Sequence, residues 1–116
     1  MIKVIFLKEV TNDILMNESY IIYVYTPFCA TCHIASSMLK QIEAAHKTEI
    51  FYQMNASLFP EFMQELKIES VPCLLIKVNN EVKEKVYTFH SVPNIYTYLI
   101  KYKPELFADI NDVPKL

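Results

Sequence analysis

Five consecutive residues, CATCH at positions 29–33, carry the side chains most able to do chemistry. A C-x-x-C-H string is the attachment signature of c-type haem, and a C-x-x-C near alternating strands and helices is a thiol–disulfide motif. Two thiols at this spacing can close a small disulfide ring, so one attacks a substrate disulfide and the other resolves the mixed disulfide. A third possibility is a zinc or iron–sulfur site made by Cys29, Cys32, His33 and Cys73.

The bulk composition is that of one globular domain. The chain has 116 residues, of which 53% are apolar and 21% charged, so it can bury a core and is too apolar for disorder. A net charge of −2, without a run of Lys or Arg, argues against nucleic-acid binding. The absence of glycine excludes the G-x-G-x-x-G and G-x-x-x-x-G-K phosphate loops, and it leaves turns and helix ends to Asn, Asp, Ser and Pro.

The sequence shows neither a signal peptide nor a membrane span. The apolar run within residues 1–10 is very short, with Lys3 and Lys8 close on either side. No other run reaches the roughly 18 apolar residues that a membrane-spanning helix needs. We therefore expect a cytoplasmic protein that binds no membrane. In a reducing compartment its three cysteines are expected to be catalytic, metal-binding or buried, and not a disulfide framework.

Hydrophobic patterning predicts alternating strands and helices. Strands are predicted at residues 2–7, 20–25, 49–54, 73–78 and 81–87, and helices at 8–17, 30–45, 57–67 and from Ser91 to Pro104. Asn79 and Asn80 supply the positive φ angles of a hairpin turn. The order β-α-β-α-β-α-β-β-α predicts an α/β fold with a mixed sheet of about five strands, flanked on both faces by about four helices.

The longest predicted helix, residues 30–45, has one apolar face, and its other side is polar. Ile34, Met38, Ile42 and Ala45 recur at helical spacing beside Ala35 and Leu39, while Glu43 is placed on the remaining surface with Ser37, Lys40 and Gln41. The domain is expected to span residues 1–103. Residues 104–116 form an appendix whose apolar positions, Phe107, Ile110, Val113 and Leu116, predict a tail packed on the same domain.

The cysteine pair therefore follows a buried strand and opens the longest helix. Unpaired N–H groups and the helix macrodipole favour negative charge there, so Cys29 should ionise more readily than a free cysteine. Haem c needs an export route, a second axial ligand and a pocket, and a buried strand directly before the motif is the wrong setting for it. A second C-x-x-C, which would strengthen a metal site, is missing. Thiol–disulfide chemistry is the favoured interpretation.

Over residues 2–103 the sequence resembles the thioredoxins and thioredoxin-like thiol–disulfide oxidoreductases. FCATC, residues 28–32, takes the place of the family's aromatic residue followed by C-x-x-C. SVPC, residues 70–73, resembles the family's cis-proline loop, which faces the cysteine pair. KVNNEV, residues 77–82, resembles the family's hairpin turn, where a glycine usually sits.

The resemblance implies a thioredoxin-like fold and a set of site residues. Cys29 would be the nucleophile and Cys32 the resolving thiol. Phe28, Val71 and Pro72 would shape the substrate groove, in which the backbone of Val71 is offered to an extended substrate segment.

Several residues depart from the family pattern. The aromatic residue before the first cysteine is usually Trp and is Phe28 here, and the usual Gly-Pro between the cysteines is Ala-Thr. The family's buried acid falls on Tyr23, and a lysine common on the next strand falls on Gln53. We therefore expect Cys32 to lack its usual proton acceptor, so that resolution is the slower half of the cycle.

Two further residues near the motif each have two interpretations. His33 is either a titratable group that tunes the thiolates or a solvent-facing helix residue. Cys73 is either a small core side chain on the face it shares with Leu75, or a third thiol near the site that could form an alternative disulfide.

Two functions follow from these observations. The first is a thiol–disulfide oxidoreductase that reduces protein or low-molecular-weight disulfides without a cofactor, with a thioredoxin reductase or a small thiol as electron donor. The second is a thioredoxin-fold binding module whose redox pair is vestigial or holds a metal. Neither function involves nucleic acid.

Overall fold

A computed structural model describes residues 7–107. The strand predicted at residues 2–7 and the appendix positions beyond Phe107 therefore lie almost wholly outside the described residues. Within them, the order of elements confirms the predicted α/β fold. The strands are β1 (Lys8–Glu9), β2 (Tyr20–Tyr25), β3 (Tyr52–Asn55), β4 (Cys73–Val78) and β5 (Glu81–Val86), and the helices are α1 (Asn12–Leu15), α2 (Ala30–His46), α3 (Pro60–Glu65) and α4 (Val92–Tyr102).

The sheet has the order β1-β3-β2-β4-β5, which makes β2 a central strand. Strands β1 and β2 run parallel to β3, while β4 is antiparallel to both β2 and β5. Helices α2 and α4 cover one face, and α1 and α3 cover the other. Buried on both faces, β2 needs the continuous apolar sequence that predicted it. No helix among residues 7–107 is long and apolar enough to cross a membrane.

The helix predicted at residues 8–17 is wrong in its extent. Its first two residues form β1, and parallel pairing with β3 continues through the Val10 N–H, which donates to the Gln53 carbonyl oxygen at 2.9 Å. The helix begins only after Thr11, whose hydroxyl accepts a hydrogen bond from the Ile14 N–H. The N-cap preference of threonine therefore fixes the boundary that the apolar spacing missed.

The single helix predicted at residues 57–67 is interrupted. A 3-10 turn at Ala56–Leu58 is capped by Asn55, and α3 starts separately. Pro60 causes the break, since proline favours the first helical position and disfavours helical backbone in the residue before it.

Positive φ angles occur at lysines as well as at asparagines. Asn79 and Asn80 have φ values of 51° and 67° in the hairpin turn, as predicted. The expectation for helix ends is wrong, because Lys47 and Lys67 adopt φ values of 55° and 54° where α2 and α3 finish. In a chain without glycine, a left-handed lysine costs about 1 kcal/mol and still ends a helix.

The surface position predicted for Glu43 is also wrong. The side chain is fully buried in α2. Its Oε1 accepts a hydrogen bond from the Leu7 N–H at 2.9 Å, and its Oε2 accepts from the N–H groups of Ile50 and Phe51 at 2.9 and 3.0 Å. These three bonds replace the hydration that the carboxylate loses on burial. They also explain why β3 starts at Tyr52, since the two preceding N–H groups bond to Glu43.

The buried face of α2 is rotated from the predicted one. Ile34 is 60% exposed and Ala45 is exposed, while Cys32 and Glu43 face the sheet. The buried positions of the helix are Cys32, Ala35, Leu39, Ile42 and Glu43.

The first residues of the predicted appendix contact the domain. Pro104–Phe107 forms a 3-10 turn, and the Phe107 ring lies edge-on to His46 with centroids 5.5 Å apart. His46 is half-buried, and its Nε2 lies 3.0 Å from the Tyr96 hydroxyl. This cluster joins the end of α2 to α4.

Replacing the buried carboxylate should destabilise the fold. Glu43→Gln presents an amide N–H₂ to backbone donors that need acceptors, so the free energy of unfolding should fall by about 3 kcal/mol. Urea unfolding followed by circular dichroism measures this loss. The matched control is Glu65→Gln, at an exposed position, which should change stability by less than about 0.5 kcal/mol. Equal stability of the two variants would contradict the role assigned to Glu43.

Candidate redox site

Cys29 is the N-cap residue of α2. After β2 the chain turns through residues 26–28, and Cys29 has extended backbone angles, so α2 starts at Ala30. The Cys29 Sγ accepts a hydrogen bond from the Cys32 N–H at 3.2 Å, and the Thr31 hydroxyl lies 3.3 Å from the same sulfur. The sulfur thus takes the place that a Ser or Asp oxygen occupies in an ordinary cap, at the positive end of the helix macrodipole.

These contacts favour the thiolate form of Cys29. Its pKa lies below that of a free cysteine because Cys32 and the Thr31 hydroxyl hydrogen-bond to the sulfur, which outweighs a small effect of burial. The contribution of Thr31 was missed in the sequence, where it counted only as a departure from Gly-Pro. A hydroxyl residue in the first turn of a cysteine-capped helix is the signal that could have found it.

Cys32 has the opposite environment. It is only 3% exposed, and its pKa is raised to about 11, first by burial and then by the hydrogen bond with Cys29. The Thr26 N–H and the Tyr23 hydroxyl oppose this rise. The first thiol is therefore the ready nucleophile, and the second is a protected thiol that must lose its proton before it can react.

Tyr23 lies directly beneath the second cysteine. Its side chain is buried, and its hydroxyl donates a hydrogen bond to the Cys32 carbonyl oxygen. The pKa of Tyr23 is strongly raised, first by burial and then by the cysteine pair, so the hydroxyl stays protonated. Tyr23 is therefore a hydrogen-bond donor at the place where a carboxylate would be a proton acceptor.

The Val71–Pro72 peptide bond is cis and lies at the same end of the sheet as the cysteine pair. Strand β4 starts immediately after it and runs antiparallel to β2, so the beginning of β4 lies beside the end of β2. Val71 and Cys29 both pack against the apolar cluster beneath α2. Phe28 is completely exposed directly before Cys29. The structure thus collects these residues on one rim.

Cys73 lies on the opposite face of the sheet from the pair. It is fully buried and pairs in register with Val24 in the cluster under α1 and α3, whereas Cys32 belongs to the cluster under α2 and α4. Burial raises the pKa of Cys73 to about 12. This arrangement corresponds to the core interpretation of Cys73.

The four residues considered as metal ligands are not assembled into one site. Among residues 7–107, no three His, Cys, Asp or Glu side chains are placed to hold a metal ion together. His33 is exposed, and it lines a cavity of about 150 Å³ together with Cys32 and Tyr23. It thus faces solvent and also lies beside the resolving thiol.

A dithiol with one half-buried and one buried sulfur at a helix N-terminus, beside a cis-proline on a mixed sheet, defines the class of thioredoxin-fold proteins. The family model Thioredoxin matches residues 2–101, and the chain belongs to the thioredoxin family. It is similar to the thioredoxin-like protein YusE of Bacillus subtilis, with 41% identity over 97 residues that cover 84% of this chain and 91% of that protein. Members of this family are generally thiol–disulfide oxidoreductases.

More distant proteins share the domain or the fold. The thioredoxin domain-containing protein plp1 of Schizosaccharomyces pombe is 26% identical over 87 residues, which are 75% of this chain and 31% of that protein. The crystal structure of mitochondrial thioredoxin 3 from Saccharomyces cerevisiae superposes with a TM-score of 0.65 at 15% identity, covering 82% of this chain and 94% of that one. A mutant thioredoxin from Halobacterium salinarum gives a TM-score of 0.66 at 15% identity, covering 84% of this chain and 88% of that one. At these identities the two structures show the fold alone.

The three thiols should react with an alkylating reagent in a fixed order. In the reduced protein at mildly acidic pH, iodoacetamide should label Cys29 well before Cys32 and Cys73, because the lowered pKa of Cys29 keeps part of it as thiolate. Peptide mass spectrometry over a time course measures the three rates. Labelling of Cys73 in native protein as fast as Cys29 would show that the site is organised differently.

Proposed function

We propose that this chain reduces disulfides by dithiol–disulfide exchange through Cys29 and Cys32. The observation that carries the proposal is the capping of α2 by the Cys29 sulfur, 3.2 Å from the Cys32 N–H. The same helix start lowers the pKa of the first thiol and buries the second, which gives the two sulfurs the two different tasks that the reaction needs.

The cycle has two steps. The Cys29 thiolate attacks a substrate disulfide, forms a mixed disulfide and releases one substrate thiol. Cys32 then loses its proton and attacks the Cys29 sulfur, so that the second substrate thiol leaves and the Cys29–Cys32 disulfide forms. A reducing partner, either a thioredoxin reductase or a small thiol, returns the protein to the dithiol state.

The rim around Cys29 suits an extended protein segment. Phe28 offers an exposed aromatic surface directly before the reactive sulfur, and the Val71 backbone next to Pro72 lies at the same end of the sheet. We propose that an extended substrate pairs with the Val71 backbone and that its disulfide is thereby presented to Cys29. A disulfide-containing protein is the favoured substrate, and low-molecular-weight disulfides are the second candidate.

Serine variants of the two cysteines should have opposite outcomes. Cys29→Ser should abolish the reduction of insulin by a thiol donor, because a hydroxyl is not ionised near neutral pH. Cys32→Ser should keep the first step and accumulate a mixed disulfide between Cys29 and the substrate, which non-reducing gels and mass spectrometry detect. Trapped species from cell extract would then identify the substrates.

The matched control is Cys73→Ala, which removes the thiol on the other face of the sheet and should leave insulin reduction within about twofold of wild type. Activity of Cys29→Ser equal to that of wild type would contradict the nucleophile. Wild-type activity no greater than the donor alone would favour the binding module with a vestigial redox pair.

A further inference from the structure

A row of polar side chains crosses the sheet behind the cysteine pair. Glu9, Gln53 and Tyr23 are consecutive partners in the register of β1, β3 and β2. Side chains of register partners lie on the same face of a sheet. This is the face covered by α2, because Tyr23 packs with Cys32 in the same apolar cluster.

Two hydrogen bonds hold the Glu9 carboxylate at the end of this row. The Tyr25 hydroxyl donates to Glu9 Oε2 at 3.1 Å, and the Gln53 Nε2 donates to the same oxygen. The Tyr25 ring in turn stacks on Tyr23, with ring centroids 5.8 Å apart and planes 12° from parallel. The carboxylate is therefore fixed in place although the residue is exposed to solvent.

A cavity of about 150 Å³ lies between Gln53 of this row and the resolving thiol. Tyr25 and Gln53 line it on the sheet side, and Cys32 and His33 line it on the helix side. It has room for several water molecules, and its polar walls offer them hydrogen-bond partners. Both residues that bind Glu9 thus border the space into which Cys32 can release a proton.

We propose that Glu9 accepts the proton of Cys32, through solvent in this cavity, during the resolving step. This inference rests on the proposed function. Glu9 would take up, from the edge strand, the task that the protonated Tyr23 hydroxyl cannot perform beneath the cysteine pair. Because Glu9 touches neither sulfur, the proton reaches it only through solvent.

The step balances in atoms and electrons. Cys32 gives its proton to solvent in the cavity and hence to Glu9, and the resulting thiolate attacks the Cys29 sulfur. The Cys29–Cys32 bond forms while the bond between Cys29 and the substrate sulfur breaks. The electron pair of the broken bond leaves with the substrate thiolate, which takes a proton from bulk solvent. The two cysteines are oxidised, and the substrate is reduced.

Other titratable groups also face this space. Among residues 7–107 they are His33 from α2, beside Cys32 itself, and Tyr23 and Tyr25 from β2. β3 contributes only an amide there. Lys8, the other residue of β1, lies on the opposite face of the sheet because successive side chains of a strand alternate between faces. His33 is the competing proton acceptor, so the test must include it.

A chromogenic aromatic disulfide, dithiobisnitrobenzoate, separates the two steps. Attack by Cys29 releases the first nitrothiolate, and attack by Cys32 on the mixed disulfide releases the second, so stopped-flow absorbance gives both rates. We expect Glu9→Gln to slow the second phase about tenfold near neutral pH and to leave the first unchanged. This slowing is smaller than removal of a base in direct contact with the thiol would cause, because the proton reaches Glu9 through water. The difference in rate between Glu9→Gln and wild type should narrow as the pH rises, since hydroxide then removes the proton of Cys32 directly.

The matched control is Glu49→Gln, which removes an exposed carboxylate just before β3 and should leave both phases unchanged. An unchanged second phase in Glu9→Gln at every pH, or equal slowing of both phases, would overturn the inference. Loss of the second phase in His33→Gln but not in Glu9→Gln would do so as well, in favour of His33. Absence of the first phase in the wild-type protein would contradict the proposed function itself. This outcome is distinguishable from loss of the second phase alone, which bears on Glu9.

Discussion

The hydrogen bond from the Cys32 N–H to the Cys29 sulfur is the interaction on which the site depends. A helix must satisfy its first N–H groups, and here the group that satisfies one of them is the reactive sulfur itself. The cap therefore fixes where α2 starts, and the macrodipole acts on the sulfur because it caps the helix. Stability of the helix end and reactivity of the thiol are two consequences of the same contact.

The rest of α2 keeps this contact in position. Glu43, more than two turns further along the helix, accepts three backbone hydrogen bonds at the starts of β1 and β3. A polar anchor of this kind sets the rotation of the helix, which turns Cys32 towards the sheet and leaves Ile34 exposed. Burial of the resolving thiol thus follows from an interaction at the far end of the same helix.

Much of this architecture could be predicted from the sequence, and the exceptions have identifiable causes. The central strand, the hairpin at Asn79 and Asn80 and the cysteine-led helix were predicted from local signals and are confirmed. Glu43 was assigned to the surface because charge alone suggests exposure, and its backbone partners lie up to 36 residues away in the chain. Such long-range partners leave no local pattern.

The polar row behind the cysteine pair was missed for a related reason. Glu9 was assigned to a helix, and its position level with Gln53 depends on the register of β1 against β3. Tyr23 was recognised only as a missing acid, while its hydrogen bond to the Cys32 carbonyl became visible only in the folded chain. Residue types could therefore predict the two thiols, whereas the groups that surround them follow from the sheet topology.

The central claim is that Cys29 and Cys32 cycle between a dithiol and a disulfide. Equilibration of the protein in glutathione buffers of varied redox ratio, followed by acid quenching, alkylation and mass spectrometry, tests it most directly. The account predicts a single two-electron transition to a Cys29–Cys32 disulfide, with Cys73 remaining a free thiol throughout. A stable glutathione adduct on Cys29 without an intramolecular disulfide, or a disulfide that includes Cys73, would contradict it.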